Sequence, residues 1–169
     1  MNTPADEKKT ITESHLPKSN TMPKQGRSFA RSFAMQAFYQ WQLVHTDLGT
    51  LRVQFAENEE FHKVDREYFF EIVNGVLSDT AYFDGIISPY LDRPITTLDA
   101  VERGVLWVGT FELMNHIDIP YRVIINESVE MAKRFGAEGG HKFINGILDK
   151  IAQAHRADFN SKNSHSRIK

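Results

Sequence analysis

The segment Pro120–Ala152, PYRVIINESVEMAKRFGAEGGHKFINGILDKIA, constrains the fold more than any other stretch. Its apolar residues recur at helical spacing on both sides of a glycine-rich joint, so it encodes two helices. Pro120 suits a first turn, where a missing N–H leaves no bond unmade. Ile124, Ser128, Met131 and Phe135 share one face and Ile125, Val129 and Ala132 the adjoining one, which gives a wide apolar stripe. Lys133 and Arg134 complement the dipole in the last turn, and Gly136 is placed to stop the helix in a left-handed conformation. The second helix carries Phe143, Ile147 and Ile151, with Ile144 and Leu148 beside them. His141, Lys142 and Phe143 fall in its first turn. A cation, an aromatic ring and free backbone N–H groups at a glycine joint suit an anionic, base-bearing polymer. Spacing alone gives Phe143 a plainer role, because it continues the Ile147 and Ile151 row and such aromatics usually pack inward.

The remaining chain repeats the helical pattern. Residues 1–25 are polar, without periodicity, and are expected to form a disordered basic leader. A first helix is predicted from near Arg27 to about His45, with Ala30, Phe33, Ala34, Ala37, Phe38, Trp41 and Val44 in its apolar stripe. Tyr39 reads by periodicity as a core-edge residue. Leu51–Ala56 is a short amphipathic piece, and 57–64 a polar connection. Asp65 caps a helix that turns Phe69, Ile72, Val73 and Val76 inward, and Gly75 allows a close neighbour. A segment from Tyr82 to Leu91 follows, with Ser88-Pro89 to kink or end it. Thr97 or Asp99 caps Ala100–Asn115, which is apolar almost all round and therefore central. No alternating strands separated by hairpin signals occur. The expected architecture is all-α, about six or seven helices in one compact bundle or two sub-bundles, spanning residues 26–155, with a disordered basic tail over 156–169.

Composition excludes more than it identifies. A chain of 169 residues with 41% apolar content is long enough to bury one core. It has no cysteine, so neither disulfides nor thiolate zinc sites are possible. The seven histidines show no HxH or HExxH spacing, and no metal site is expected. No apolar run is long enough for a membrane span and no signal peptide is visible, which makes the cytoplasm the expected compartment. Gly136-Ala-Glu-Gly-Gly140-His-Lys142 imitates a phosphate loop. However, His141 separates the lysine from the last glycine and Phe143 stands where Ser or Thr would hold magnesium, so nucleotide hydrolysis is rejected. Net charge is −2, but residues 1–31 carry +3 and residues 150–169 carry +4, leaving −9 on the body. Such a body suits a basic partner and the ends an anionic ligand, although basic tails also serve solubility alone.

The segments PYRVIINESVEMAKRFGAE and HKFINGILDK closely resemble the C-terminal signature of the NusB family of transcription antitermination factors. ARSFAMQAFYQWQL at Ala30–Leu43, YFFEIVNGV at Tyr68–Val76 and VERGVLWVGTFEL at Val101–Leu113 extend the resemblance over about residues 27–152. It implies an all-helical fold of two perpendicular bundles, no cofactor and no catalysis. It further implies binding to the boxA element of ribosomal RNA transcripts as a heterodimer with the ribosomal protein NusE, within an antitermination complex on RNA polymerase. Carried over position by position, Arg27, Arg31, Tyr39, Lys142 and Phe143 match RNA-contacting residues, and Tyr90 and Glu102 match the partner-facing side. The chain departs from the family where Gly139-Gly140 replace an acidic residue and serine. It departs again where Ser28 and Phe29 thin the arginine run, a loss that Lys18 and Lys24 could offset. Two rivals remain. NusB-like domains also begin certain ribosomal RNA cytosine methyltransferases, which need a further S-adenosylmethionine-binding domain. A self-associating helical adaptor would form a homodimer without RNA.

Overall fold

The computed structural model describes residues 24–163. Its elements are α1 (Lys24–Val44), α2 (Leu48–Ala56), α3 (Arg66–Leu77), α4 (Thr80–Ile87), α5 (Ala100–Asn115), α6 (Tyr121–Phe135), α7 (Gly140–His155) and α8 (Ala157–Asn163). Short 3₁₀ turns occupy Glu59–Lys63, Ser88–Tyr90 and Ile95–Thr97. Among the described residues there is no strand, so the all-α expectation holds, with eight helices where six or seven were expected.

Aspartates set several helix starts. Asp47, Asp65, Asp79 and Asp99 each accept a backbone N–H of the following first turn, at 2.8–3.2 Å. An ionised cap satisfies an otherwise unpaired donor and places negative charge at the positive end of the dipole. Pro89 stands in the 3₁₀ turn that ends α4, and Pro120 occupies the N-cap of α6, one residue before the expected first turn.

The centre of the molecule is α5. Every residue from Gly104 to Leu113 is buried, as a helix apolar all round requires. It packs against α1, α3 and α4, and also against α6 and α7, which pack on each other. Close approach is built in. A Cβ at Gly75 would lie 2.3 Å from Cε2 of Phe111, and one at Gly109 2.8 Å from Cδ1 of Leu148. Trp107 is fully buried, edge-on to Phe38 at 5.5 Å, and donates its indole N–H to Asp84 at 2.8 Å. Phe33, Phe55, Phe61 and Phe69 form a second aromatic group, so the connection expected to be polar at 57–64 in fact inserts Phe61 into the core.

Three boundaries differ from expectation. α1 starts at Lys24, inside the span given to the leader, and residues 1–23 lie outside the described ones. Gly136 is extended (φ −92°, ψ 177°), and the left-handed residue is Gly139 (φ 80°), at the N-cap of α7. The chain leaves α6 along an extended residue and reverses only at the later glycine. The tail expected from 156 begins with a buried anchor. Arg156 donates to the carbonyls of Leu113, His116, Ile117 and Ile119 and pairs with Asp158. Asp158 in turn accepts the N–H of Tyr121, and Phe159 lies 5.0 Å from the Tyr121 ring. These bonds fasten α8 across the α5–α6 connection. Residues 164–169 lie outside the described ones.

Candidate nucleic-acid interface

The α6–α7 joint presents its cations as the sequence suggests. Lys133, Arg134 and Lys142 are exposed, and no side chain caps the start of α7. Uncapped first-turn N–H groups carry the positive end of the helix dipole. Phe143 takes a position between its two sequence-based roles. Its ring packs on the core while remaining half-buried, and the guanidinium of Arg93 lies 5.5 Å from its centroid.

Tyr39 is 43% exposed and lines a groove of about 760 Å³ along α1. Met35, Phe55 and Phe135 supply apolar surface there, and the amides of Gln36, Gln40, Gln54 and Asn58 stand among them. The groove reaches Val101 in the first turn of α5. The next residue, Glu102, approaches Arg93 (3.8 Å), which covers Phe143. Arg93 thus links the first turn of α5 to the start of α7.

Arg27 and Arg31 are placed differently. Two residues along a helix turn the side chain by about 200°, so both arginines face away from Phe29, which lines the adjoining groove. Arg27 is half-buried, with its guanidinium 4.6 Å over the ring of Tyr68 in α3. Roughly 18 Å of helix rise separates it from Tyr39. Arg31, expected on the RNA face, is instead 4% exposed. Its Nε and Nη2 donate to both carboxylate oxygens of Glu112, at 2.7 and 2.9 Å, and Glu112 is completely buried. The Tyr68 hydroxyl donates to the same carboxylate. Burial, the largest single influence, would weaken the protonated guanidinium, but the Glu112 hydrogen bond together with the charge of Glu112 and its neighbours outweighs it and leaves the pKa raised. Burial, reinforced by the Glu112 charge, pushes the Tyr68 phenol well above its ordinary value. Arg31 is thus a structural anchor and leaves the candidate interface. Ser28 donates to Glu127 (2.9 Å), which also lies 3.7 Å from Arg31, so α1 is tied to α6 as well as α5.

The expected partner-facing residues adjoin this surface. Tyr90, half-buried, closes the 3₁₀ turn that packs against α7. Glu102 is 17% exposed, and a Cβ at Gly140 would lie 3.5 Å from its Oε1. Burial, followed by the neighbouring Asp99 charge, raises the Glu102 pKa. Sequence reasoning missed Arg93, which it left in a loop without motif. It also missed the Arg31–Glu112–Tyr68 cluster, for which the available signal was a carboxylate within the apolar run Val105–Met114 of α5.

These features define an all-helical binding domain. Among the described residues no group of three His, Asp or Glu is placed to hold a metal, and no helix is long and apolar enough to cross a membrane. The chain belongs to the NusB family, whose model matches residues 28–153. It is 46% identical over 135 residues to the transcription antitermination protein NusB of Alcanivorax borkumensis, covering 80% of this chain and 90% of that protein. With NusB of Klebsiella pneumoniae it shares 47% identity over 131 residues, 78% of this chain and 94% of the relative. The solved structure of T. maritima NusB superposes with a TM-score of 0.72 at 33% identity, over 80% of this chain and 96% of that one. A NusB from a complex of NusB and NusE with double-stranded RNA gives 0.66 at 26% identity, over 78% and 98%.

Proposed function

We propose that this chain acts in transcription antitermination by binding boxA-type single-stranded RNA as a heterodimer with NusE. It does so in the cytoplasm, as part of an RNA polymerase complex, and it works by binding without catalysis. The observation that carries the proposal is the α7 start, where exposed Lys142 and the half-open ring of Phe143 flank an uncapped helix terminus. Support comes from the solved complex of NusB and NusE with double-stranded RNA. Lys142 supplies charge to a phosphate, Phe143 and Tyr39 offer stacking faces, and Arg27 adds charge at the front of α1. Tyr90 and Glu102 mark the NusE side, where an acidic body meets a basic ribosomal protein.

The test is a salt-titrated anisotropy measurement with boxA-type RNA, with and without NusE. Phe143→Ala removes a stacking face of about 1–3 kcal/mol, so affinity falls roughly 5- to 150-fold. Lys142→Ala lowers the slope of log affinity against log salt by about 0.7, one phosphate contact on a single strand. Unchanged affinity in both variants, or a homodimer on gel filtration that is indifferent to NusE, refutes the proposal.

A further inference from the structure

The loop between the Ser88–Tyr90 turn and α5 carries Arg93, a cation between the start of α7 and the first turn of α5. It is 49% exposed. On one side its guanidinium lies 5.5 Å from the centroid of Phe143. On the other, Nη2 is 3.8 Å from Oε2 of Glu102 in the first turn of α5.

Two physical features distinguish this arrangement from a settled ion pair. First, 3.8 Å is beyond hydrogen-bonding range, so charge alone holds the pair. An interaction of that kind at a half-exposed site is weak, because solvent screens it. A phosphate, which accepts two parallel N–H bonds from a guanidinium, competes with it readily. Second, the guanidinium covers one face of the Phe143 ring. A nucleobase must either displace Arg93 to reach that face or stack on the guanidinium plane itself. Either way the nucleotide meets Arg93. Glu102 is the competing ligand: burial and the Asp99 charge disfavour its ionised form, so a facing cation stabilises it.

We propose that Arg93 is a further RNA-contacting residue, held back by Glu102 in the free protein and released to phosphate when a basic partner takes over that carboxylate. This rests on the RNA-binding role assigned above to Lys142 and Phe143. By linkage, the factor by which the partner tightens RNA binding equals the factor by which RNA tightens partner binding.

The experiment is a double-mutant cycle on the full chain. Anisotropy with boxA-type RNA, with and without NusE, compares the wild type with Arg93→Ala, Glu102→Gln, the double variant and Lys142→Ala. Arg93→Ala weakens RNA binding roughly five-fold and lowers the salt slope by about 0.7. Glu102→Gln tightens RNA binding in the absence of NusE by roughly two- to five-fold, the range of one half-exposed pair. In the Arg93→Ala background that gain disappears, and so does the share of the NusE enhancement carried by Arg93. An equal gain from Glu102→Gln with and without Arg93 would mean that Glu102 repels RNA directly, and overturns the proposal. An Arg93→Ala variant with unchanged affinity and slope overturns it too. Lys142→Ala separates the levels: if Lys142→Ala weakens binding and Arg93→Ala does not, only this inference fails. If neither matters, the RNA site itself is elsewhere.

Discussion

Replacing Arg31 with Met deletes the guanidinium that faces the fully buried Glu112 and leaves that carboxylate with the Tyr68 hydroxyl as its remaining partner. Removing one member of a buried ion pair costs about 3–5 kcal/mol, because the surviving charge keeps its desolvation penalty and loses its compensation. For a domain of this size, each kcal/mol lowers Tm by about 2–4 °C, so the expected drop is roughly 6–20 °C. Urea and thermal unfolding followed by circular dichroism measure it directly. The second arm is Arg31→Met with Glu112→Leu and Tyr68→Phe, which removes every polar member of the cluster together. Apolar groups of similar volume often replace a buried pair without loss, so most of the stability returns. A single variant that loses less than about 1 kcal/mol, yet binds RNA poorly, would falsify the anchor assignment and return Arg31 to the interface.

Stability also depends on pH through Tyr68. Its phenol is raised in the folded state, so its contribution is complete below about pH 10, the ordinary value, and is lost as pH rises above it. Urea midpoints of wild type and Tyr68→Phe should therefore converge above pH 10, and a constant difference up to pH 11 refutes the linkage. Arg156→Ala strips four backbone carbonyls of a donor, and a loss of about 2–5 kcal/mol is expected, with amide exchange in α8 rising first. Protection of α8 identical to wild type would contradict it. Gly75→Ala drives a methyl into Phe111, and urea unfolding should register about 1–3 kcal/mol, whereas Gly139→Ala meets open space and costs about 1 kcal/mol from its left-handed backbone alone. A larger cost at Gly139 than at Gly75 would refute that distinction.

Helix existence was legible because the 3.6-residue recurrence of apolar side chains is a local property. Ala30, Phe33, Ala34, Ala37 and Phe38 are buried as their spacing predicts, and Asp65 and Asp99 cap the helices they precede. Helix ends were less legible. Left-handed geometry fell at Gly139 instead of Gly136, since any glycine of the joint tolerates it and only the α6–α7 packing selects one. Tails were the weakest point. Polar composition hid the Arg156 anchor, whose acceptors lie about 40 residues earlier.

By itself, the order of residues determined an all-helical domain with a cationic, ring-bearing helix start. Those features depend on neighbours within one or two turns, where side-chain direction follows from spacing alone. Tertiary packing decided which arginine faces solvent. Arg27 and Arg31 sit one turn apart on the same side of α1, and nothing local separates them. The later residue meets Glu112 across the core and gives up its surface role, while the earlier one rests on Tyr68 at the edge. Packing also put Arg93 over Phe143, fifty positions away in the chain, because the loop before α5 folds against the start of α7. A charge becomes an anchor or a ligand contact through the dielectric and the partners that surround it, and those come from distant segments.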